Sequence, residues 1–301
     1  MDLKNPIFND ETAARSYLEA TRWPDGAACP SCGMIETVSP MPQKGSLGAG
    51  WYHCRQCRQK FTVRVGTLYE RSHVPLHKWL LATHLLCSSK KGMSSHQLHR
   101  MLGVTYKTAW FMSHRIREGM TPKNPGPMGG EGKVIEADET YMGKRAKKPH
   151  LNTERKIIAL VERGGPVRSF TVKRVSGGAA AKALLMNVDR KSQLMTDESG
   201  IYMGIGKEFK GGHESVNHSN REYARGDVST NTIEGVFSIF KRGMIGTYQH
   251  CGEQHLQRYL NEFDFRYSNR EKLGFNDTMR AEIAIKGIEG KRLTYRRIGQ
   301  A

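Results

Sequence analysis

The sequence predicts a multidomain chain: a small N-terminal unit held by metal, a small helical helix-turn-helix unit, and an α/β domain with elements in the order βββαβαβα. Three observations predict it. Four of the six Cys fall within the first 70 residues as two CxxC pairs, in a segment with few long apolar periods. Helical spacing takes over at residue 72 and stops at TPKNPGPMGGEG, 121–132, whose three Pro and four Gly punctuate the chain. Strand-period segments follow that stretch. The expected boundaries are 1–70, 71–121, a linker over 122–132, 133–285 for the α/β domain, and a basic tail over 286–301.

Composition bounds what such a chain does. With 301 residues it can bury a core without disulfide staples. Lys and Arg number 47 against 29 Asp and Glu, a net charge of +18, so a polyanion is the first partner to expect. No run approaches the roughly 18 apolar residues of a membrane span. The longest, Trp79 to Cys87, is broken by Thr83 and His84. The N-terminus MDLKNPIFND carries acids and no apolar h-region, so a cytoplasmic, nucleoid-associated location is expected and the Cys belong in a reducing compartment.

In the first unit, CPSCG holds Cys29 and Cys32, and YHCRQCRQKF holds Cys54 and Cys57, with 21 residues between the pairs. Two such knuckles bring four thiolates to the corners of a tetrahedron, the preference of zinc. Four protein ligands leave no open position, so one structural Zn²⁺ is expected. Cys87 and Cys251 stand alone and read as packing residues. Around the second knuckle Arg55, Arg58, Lys60 and Arg64 interleave with Trp51, Tyr52 and Phe61, which suits contact with a phosphate backbone.

In the second unit one helix face carries Leu76, Leu80 and Thr83 or His84, another Leu98, Met101 and Leu102, and a third Ala109, Met112 and Ile116. The segment 93–120 has the layout of a reading head: Ser94 or Ser95 as N-cap, Gly103 at the turn, and Thr105 as the next N-cap. The second helix, with Tyr106, Lys107 and Arg115, would enter the major groove.

In the third unit, strands are expected over 134–142, 156–163 and 167–175 as an antiparallel meander, then a helix over 176–189 capped by Ser176, a short strand over 192–197 and a helix over 230–243. Asp138 lies in the first strand and Asp197 ends the short one. An acid among apolar strand residues is costly unless it meets a cation. In a sheet where the strand after the crossover helix lies beside the first, the two side chains are neighbours, and a divalent ion between them relieves their repulsion. Glu234 and Lys241, seven residues apart, project within about 20° of each other on a helix, with Asn231 on nearly the same side. Glu136 and Glu139 flank Asp138, are expected on the opposite face, and are secondary candidates. His213 and His218 read as loop or structural residues. The tail segment KRLTYRR reads as a solvated extension that adds to DNA affinity.

The motifs CPSCG, YHCRQCRQKFTVRVGTLYE, KWLLATHLL, GVTYKTAWFM, ADETYMG, LMTDES, STNTIEGVFSIFKRGMIGTYQH and HLQRYLNEFDFRYSNR together resemble bacterial insertion-sequence transposases with an N-terminal zinc ribbon and a DD(E/N)-type catalytic domain, the ISXO2-like family. The similarity runs from about residue 25 to about 285. The resemblance implies an RNase H-like catalytic fold, two catalytic Mg²⁺ for which Mn²⁺ substitutes, and movement of double-stranded DNA bounded by inverted repeats. It implies Asp138 as first acid, Asp197 as second, and the 231–241 segment as the source of the third, with Lys241 as basic companion. Both Asn231 and Glu234 are available there. Glu234 is favoured, because an ionised carboxylate neutralises a cation where an amide only solvates it. Pairing two DNA ends implies a homodimer or larger synaptic assembly. A purely hydrolytic nuclease of the same fold, and a DNA-binding regulator without catalysis, are the rival readings.

Overall fold

The computed structural model describes residues 2–44, 48–144 and 153–294. The chain divides into two units, one of Met1–Ser89, Met93–Thr121 and Asn276–Ala301, the other of Lys90–Gly92 and Pro122–Phe275. This division departs from the expected one at two places. Residues 1–70 and 71–121 share one unit, and the α/β unit ends at Phe275 rather than 285, because the chain returns afterwards to the first unit.

The first unit opens with a helix where loops were expected, α1 (Glu11–Arg22). Asp10 caps it by accepting from the Ala13 N–H at 2.7 Å, and Ala14 and Leu18, one turn apart, are its buried stripe. A three-stranded antiparallel sheet follows: β1 (Val38–Pro40), β2 (Trp51–Cys54) and β3 (Lys60–Thr62). Three helices come next, α2 (Leu76–Ser88), α3 (Ser95–Leu102) and α4 (Tyr106–Met120). Ser94 caps α3 through the Gln97 N–H at 3.1 Å, and Thr105 caps α4 through the Thr108 N–H at 3.2 Å. Gly103 ends α3 at φ 60°, the left-handed region that glycine enters without a Cβ clash. Met101, expected on the apolar face, is exposed, while Leu98 and Leu102 are buried.

The second unit is three layers. Its sheet contains β4 (Val134–Met142), β5 (Arg155–Glu162), β6 (Val167–Val172), β7 (Gln193–Thr196) and β8 (His213–Ser215), in the order β6-β5-β4-β7-β8. The first three are antiparallel, as the meander requires, and β7 lies parallel to β4 with β8 parallel beyond it. Strand β5, paired on both edges, reads Ile-Ile-Ala-Leu-Val because helices cover both of its faces. On one side α5 (Gly177–Asn187) and α6 (Gly200–Gly206) pack Ala180, Leu184, Tyr202 and Ile205 against Ile135, Ala137 and Leu160. On the other, Ile157, Ala159 and Val161 meet the last two helices of the unit. A two-stranded hairpin, β9 (Ala224–Arg225) with β10 (Val228–Ser229), leads into these helices, α7 (Asn231–Gly243) and α8 (Leu256–Ser268).

The end of the expected linker belongs to this unit. Met128 is buried and its N–H donates to the Asn187 carbonyl at 2.7 Å. The last helix, α9 (Asp277–Lys286), packs on α2 in the first unit. Beyond it, Lys291 donates through Nζ to the Glu118 carbonyl at 2.7 Å, so this part of the tail is docked rather than solvated, and residues 295–301 lie outside the described set.

Candidate metal centres and nucleic-acid interface

The two knuckles converge. Cys29 and Cys32 sit on a tight turn in which the Gly33 N–H donates to the Cys29 carbonyl at 2.8 Å, and Cys54 ends β2 with Cys57 in the turn to β3. Sγ of Cys29 lies 3.5 Å from that of Cys57, and Sγ of Cys32 lies 3.6 Å from that of Cys54. All four sulfurs fall within 4.8 Å of one another. A tetrahedron with Zn–S bonds of about 2.3 Å has edges of about 3.8 Å, so the donor set fits structural Zn²⁺. The Cys54 thiol is pulled down to about 6, first by the Cys57 backbone N–H, which favours the thiolate a metal needs. Cys87 and Cys251 are buried, as packing residues are.

Two aromatics of the second knuckle, Tyr52 and Phe61, pack within the first unit. Phe61 is fully buried, and Tyr52 and Phe61 pack edge-on against Trp23 at 5.3 and 5.9 Å. Of the expected cations, Arg55, Arg58 and Lys60 are exposed. Arg64 is not available for a phosphate in the same way: its guanidinium donates to the Ser72 and Val74 carbonyls at 2.8 and 2.9 Å and pairs with Glu11 at 2.9 Å. On α4, Tyr106 is 45% exposed and Lys107 is exposed in the first turn. Arg115, in the third turn, lies over the Phe111 ring and donates to the carbonyls of Glu70 and Leu293, so it fixes the fold of its unit.

In the α/β unit, strand register builds the second cluster. Glu136 of β4 stands beside Met195 of β7, and the same offset carried two residues further sets Asp138 beside Asp197, just past the end of the pairing. Asp138, Glu139 and Asp197 place carboxylate oxygens within 4.8 Å of one another. Burial first, and then the charge of Asp197, pushes Asp138 up to about 7. Burial likewise raises Asp197, against a 3.1 Å hydrogen bond from the Ser199 N–H. Glu139 is raised by burial too, and its Oε2 accepts from the Tyr202 hydroxyl at 2.9 Å. Carboxylates held together in this way fit divalent cations with oxygen preference.

The other acids stand differently. Glu234, in the first turn of α7, lies outside that group; its side chain is 49% exposed, with Oε1 3.6 Å from His218 Nε2 and 3.5 Å from Thr230 Oγ1. Its charge is the smallest of the influences that raise Asp138. Asn231, the first residue of α7, is exposed, and Lys241 is half-buried two turns beyond Glu234. Glu136 corrects the expectation from sequence: two residues from Asp138 in a strand, it shares that residue's face, and it is fully buried. Glu139 does leave Asp138's face, as expected, yet at the strand end its carboxylate reaches the cluster. Only its adjacency to Asp138 hinted at this. His213 bonds Thr196 Oγ1 at 3.0 Å, and His218, which binds Thr230 Oγ1 at 3.1 Å, faces Glu234 and lowers Asp197 by its charge.

Residues 129–268 match the ISXO2-like transposase domain, and residues 9–60 match the transposase zinc-ribbon domain. A little under half of the chain is thus an ISXO2-like transposase domain, with a transposase zinc ribbon ahead of it. A relative in this sense is an uncharacterized protein in transposable element ISH50 of Halobacterium salinarum, 25% identical over 279 residues, which cover 86% of this chain and 91% of the relative. Among solved structures, a pre-cleavage Mos1 transpososome aligns at 10% identity with a TM-score of 0.27, over 65% of this chain and 74% of the other. A Mos1 transposase paired-end complex with left transposon end aligns at 10% identity and a TM-score of 0.23, over 65% and 77%. Among the described residues no helix is long and apolar enough to cross a membrane.

Proposed function

We propose that this chain binds the inverted-repeat ends of a DNA element and carries out Mg²⁺-dependent strand cleavage and strand transfer on an RNase H-like unit. The observation that carries the reading is the convergence of Asp138, Glu139 and Asp197 at the ends of β4 and β7, where their mutual repulsion calls for divalent ions. The strand order β6-β5-β4-β7-β8 supports the fold assignment.

Asp138 and Asp197 would hold the ions, with Glu139 beside them and Glu234 or Asn231 approaching from α7. Held there, two Mg²⁺ would supply the Lewis acidity that an in-line displacement needs at its attacking and leaving oxygens. The protein's own part is positional. The sheet sets the carboxylates of Asp138 and Asp197 side by side, Tyr202 orients Glu139 through its hydroxyl, and Lys241 would hold a DNA phosphate near the cut. Arg55, Arg58 and Lys60 on the ribbon, and Tyr106 and Lys107 at the start of α4, are proposed to bind the ends. Arg64 and Arg115 support that surface from within its fold. A homodimer or larger assembly pairs the two ends.

The test supplies a precleaved inverted-repeat end and target DNA with Mg²⁺. Joined product is expected from the natural chain and none from Asp138→Asn, while end binding persists in both. Hydrolysis without joining marks a nuclease, and bound but uncut DNA marks a regulator; either result overturns the proposal.

A further inference from the structure

The helix that carries Glu234 lacks a cap of its own. Thr230 stands at its N-cap position but makes no side-chain hydrogen bond to the first-turn amides, its hydroxyl being engaged with His218. An uncapped helix leaves its leading N–H groups without partners. One of them, the N–H of Ile233, donates at 2.9 Å to Oε2 of Glu136, a residue of β4 and not of the helix. Glu136 is fully buried, and its Oε1 accepts from Nε of Arg163 at 2.6 Å. The same guanidinium reaches onward, donating to the Asp227 carbonyl at 2.6 Å and to the Ser229 carbonyl and hydroxyl at 2.9 Å each. One carboxylate and one guanidinium therefore stitch together β4, the end of β5, the β9–β10 hairpin and the first turn of α7.

The placement has a chemical meaning. Glu136 precedes Asp138 by two residues on the same strand face, and Ile233 immediately precedes Glu234. We infer that Glu136, clamped by Arg163, is a positioning residue: it caps α7 from the neighbouring strand and so fixes Glu234 and Asn231 relative to Asp138 and Asp197. Each of its oxygens already accepts a hydrogen bond, Oε1 from Arg163 and Oε2 from the Ile233 N–H. A charge taken fully out of water is tolerated here because the guanidinium pairs it and the helix dipole favours it. This inference rests on the proposed strand-transfer reading.

Glu136→Gln in the full chain tests it, because the amide keeps the volume and one acceptor while releasing the ion pair. Two readouts are needed. Without metal or DNA, amide exchange over the first turn of α7 is expected to rise by about tenfold or more while the β5 core amides hold. With Mg²⁺, joining of a precleaved end is expected to fall on the order of 100-fold, the cost of misplacing a reacting group by about 1 Å, and end binding to stay unchanged. Unaltered exchange in that turn, or faster exchange there with wild-type joining, overturns the inference. If Glu136→Gln loosens the whole unit, Arg163→Lys decides in its place: it keeps a charge beside Glu136 but gives up the fork to Asp227 and Ser229. Faster exchange in the first turn of α7 together with impaired joining is again the expected result, and either one without the other overturns the inference. Failure of the natural chain itself to join DNA would instead strike the strand-transfer reading, and the exchange result would still judge the cap.

Discussion

The two clusters of ligating side chains differ in donor chemistry and in completeness. At the zinc ribbon, four sulfurs lie at near-tetrahedral spacing on two turns; backbone N–H groups help pull Cys29 and Cys54 down, while the neighbouring sulfurs help push Cys32 and Cys57 up. At the α/β unit, three carboxylates are pressed together with burial raising all of them; the charge of Asp197 adds to it at Asp138, which reaches about 7, and at Glu139, and that of Glu198 adds to it at Asp197. The first is closed and complete, four ligands for one structural ion. The second is crowded with like charge, which a divalent cation would relieve, as in the proposed chemistry.

The largest effect that separates the two clusters is loss of a sulfur. Structural zinc contributes about 10–16 kcal/mol of apparent binding energy in small metal-held units. Cys54→Ser should therefore remove zinc, measured as metal content per chain, and unfold the ribbon, with end binding lost. Asp138→Asn should do the reverse, leaving zinc content and end binding intact while joining falls on the order of 10³-fold or more. If either variant mimics the other, the division of roles is wrong.

A smaller effect is expected from pH. Asp138 has a folded value near 7 against an ordinary value of 3.8. A raised carboxylate contributes stability that is complete below about pH 4 and is lost as pH climbs through about 7. In chelator that spares zinc, the melting temperature of the α/β unit should fall between pH 5 and 8, by roughly 2–4 °C for each kcal/mol lost. Added Mg²⁺ should restore most of it at pH 8 and little at pH 5. A melting temperature that rises over that interval without Mg²⁺ would contradict the like-charge crowding at Asp138.

The smallest effect concerns the interface. Lys107→Ala should weaken end binding modestly and lower the slope of log affinity against log salt by about 0.9, one phosphate contact. Arg64→Ala should instead lower thermal stability, since that guanidinium ties Glu11 to the carbonyls of Ser72 and Val74. Equal salt slopes for Lys107→Ala and the natural chain would remove Lys107 from the surface that meets DNA.

Much of this was legible in the residues, and the exceptions have physical causes. The meander, the crossover helix with its Ser176 cap, and α7 announce themselves because long apolar periods and caps are local signals. Helix α1 does not, since its buried stripe is only Ala14 and Leu18. The return of α9 to the first unit is a tertiary choice that no local period encodes. Asp138 and Asp197 could be paired from strand order alone. Glu139 could not, because alternation assigns it to the other face and only the strand end lets its carboxylate swing in. Arg64 and Arg115 look like surface cations in the sequence, and their carbonyl partners, distant along the chain, make them structural.

Titration of Mn²⁺ into the zinc-loaded full chain at pH 8, with the bound ion counted by electron paramagnetic resonance, tests the central claim most directly. The natural chain should bind Mn²⁺ in addition to zinc, and Asp138→Asn and Asp197→Asn should each weaken that binding by an order of magnitude or more, as expected when a ligating carboxylate loses its charge. Undiminished Mn²⁺ binding in both variants would mean that β4 and β7 do not hold the ions, and the account of the active centre would fall.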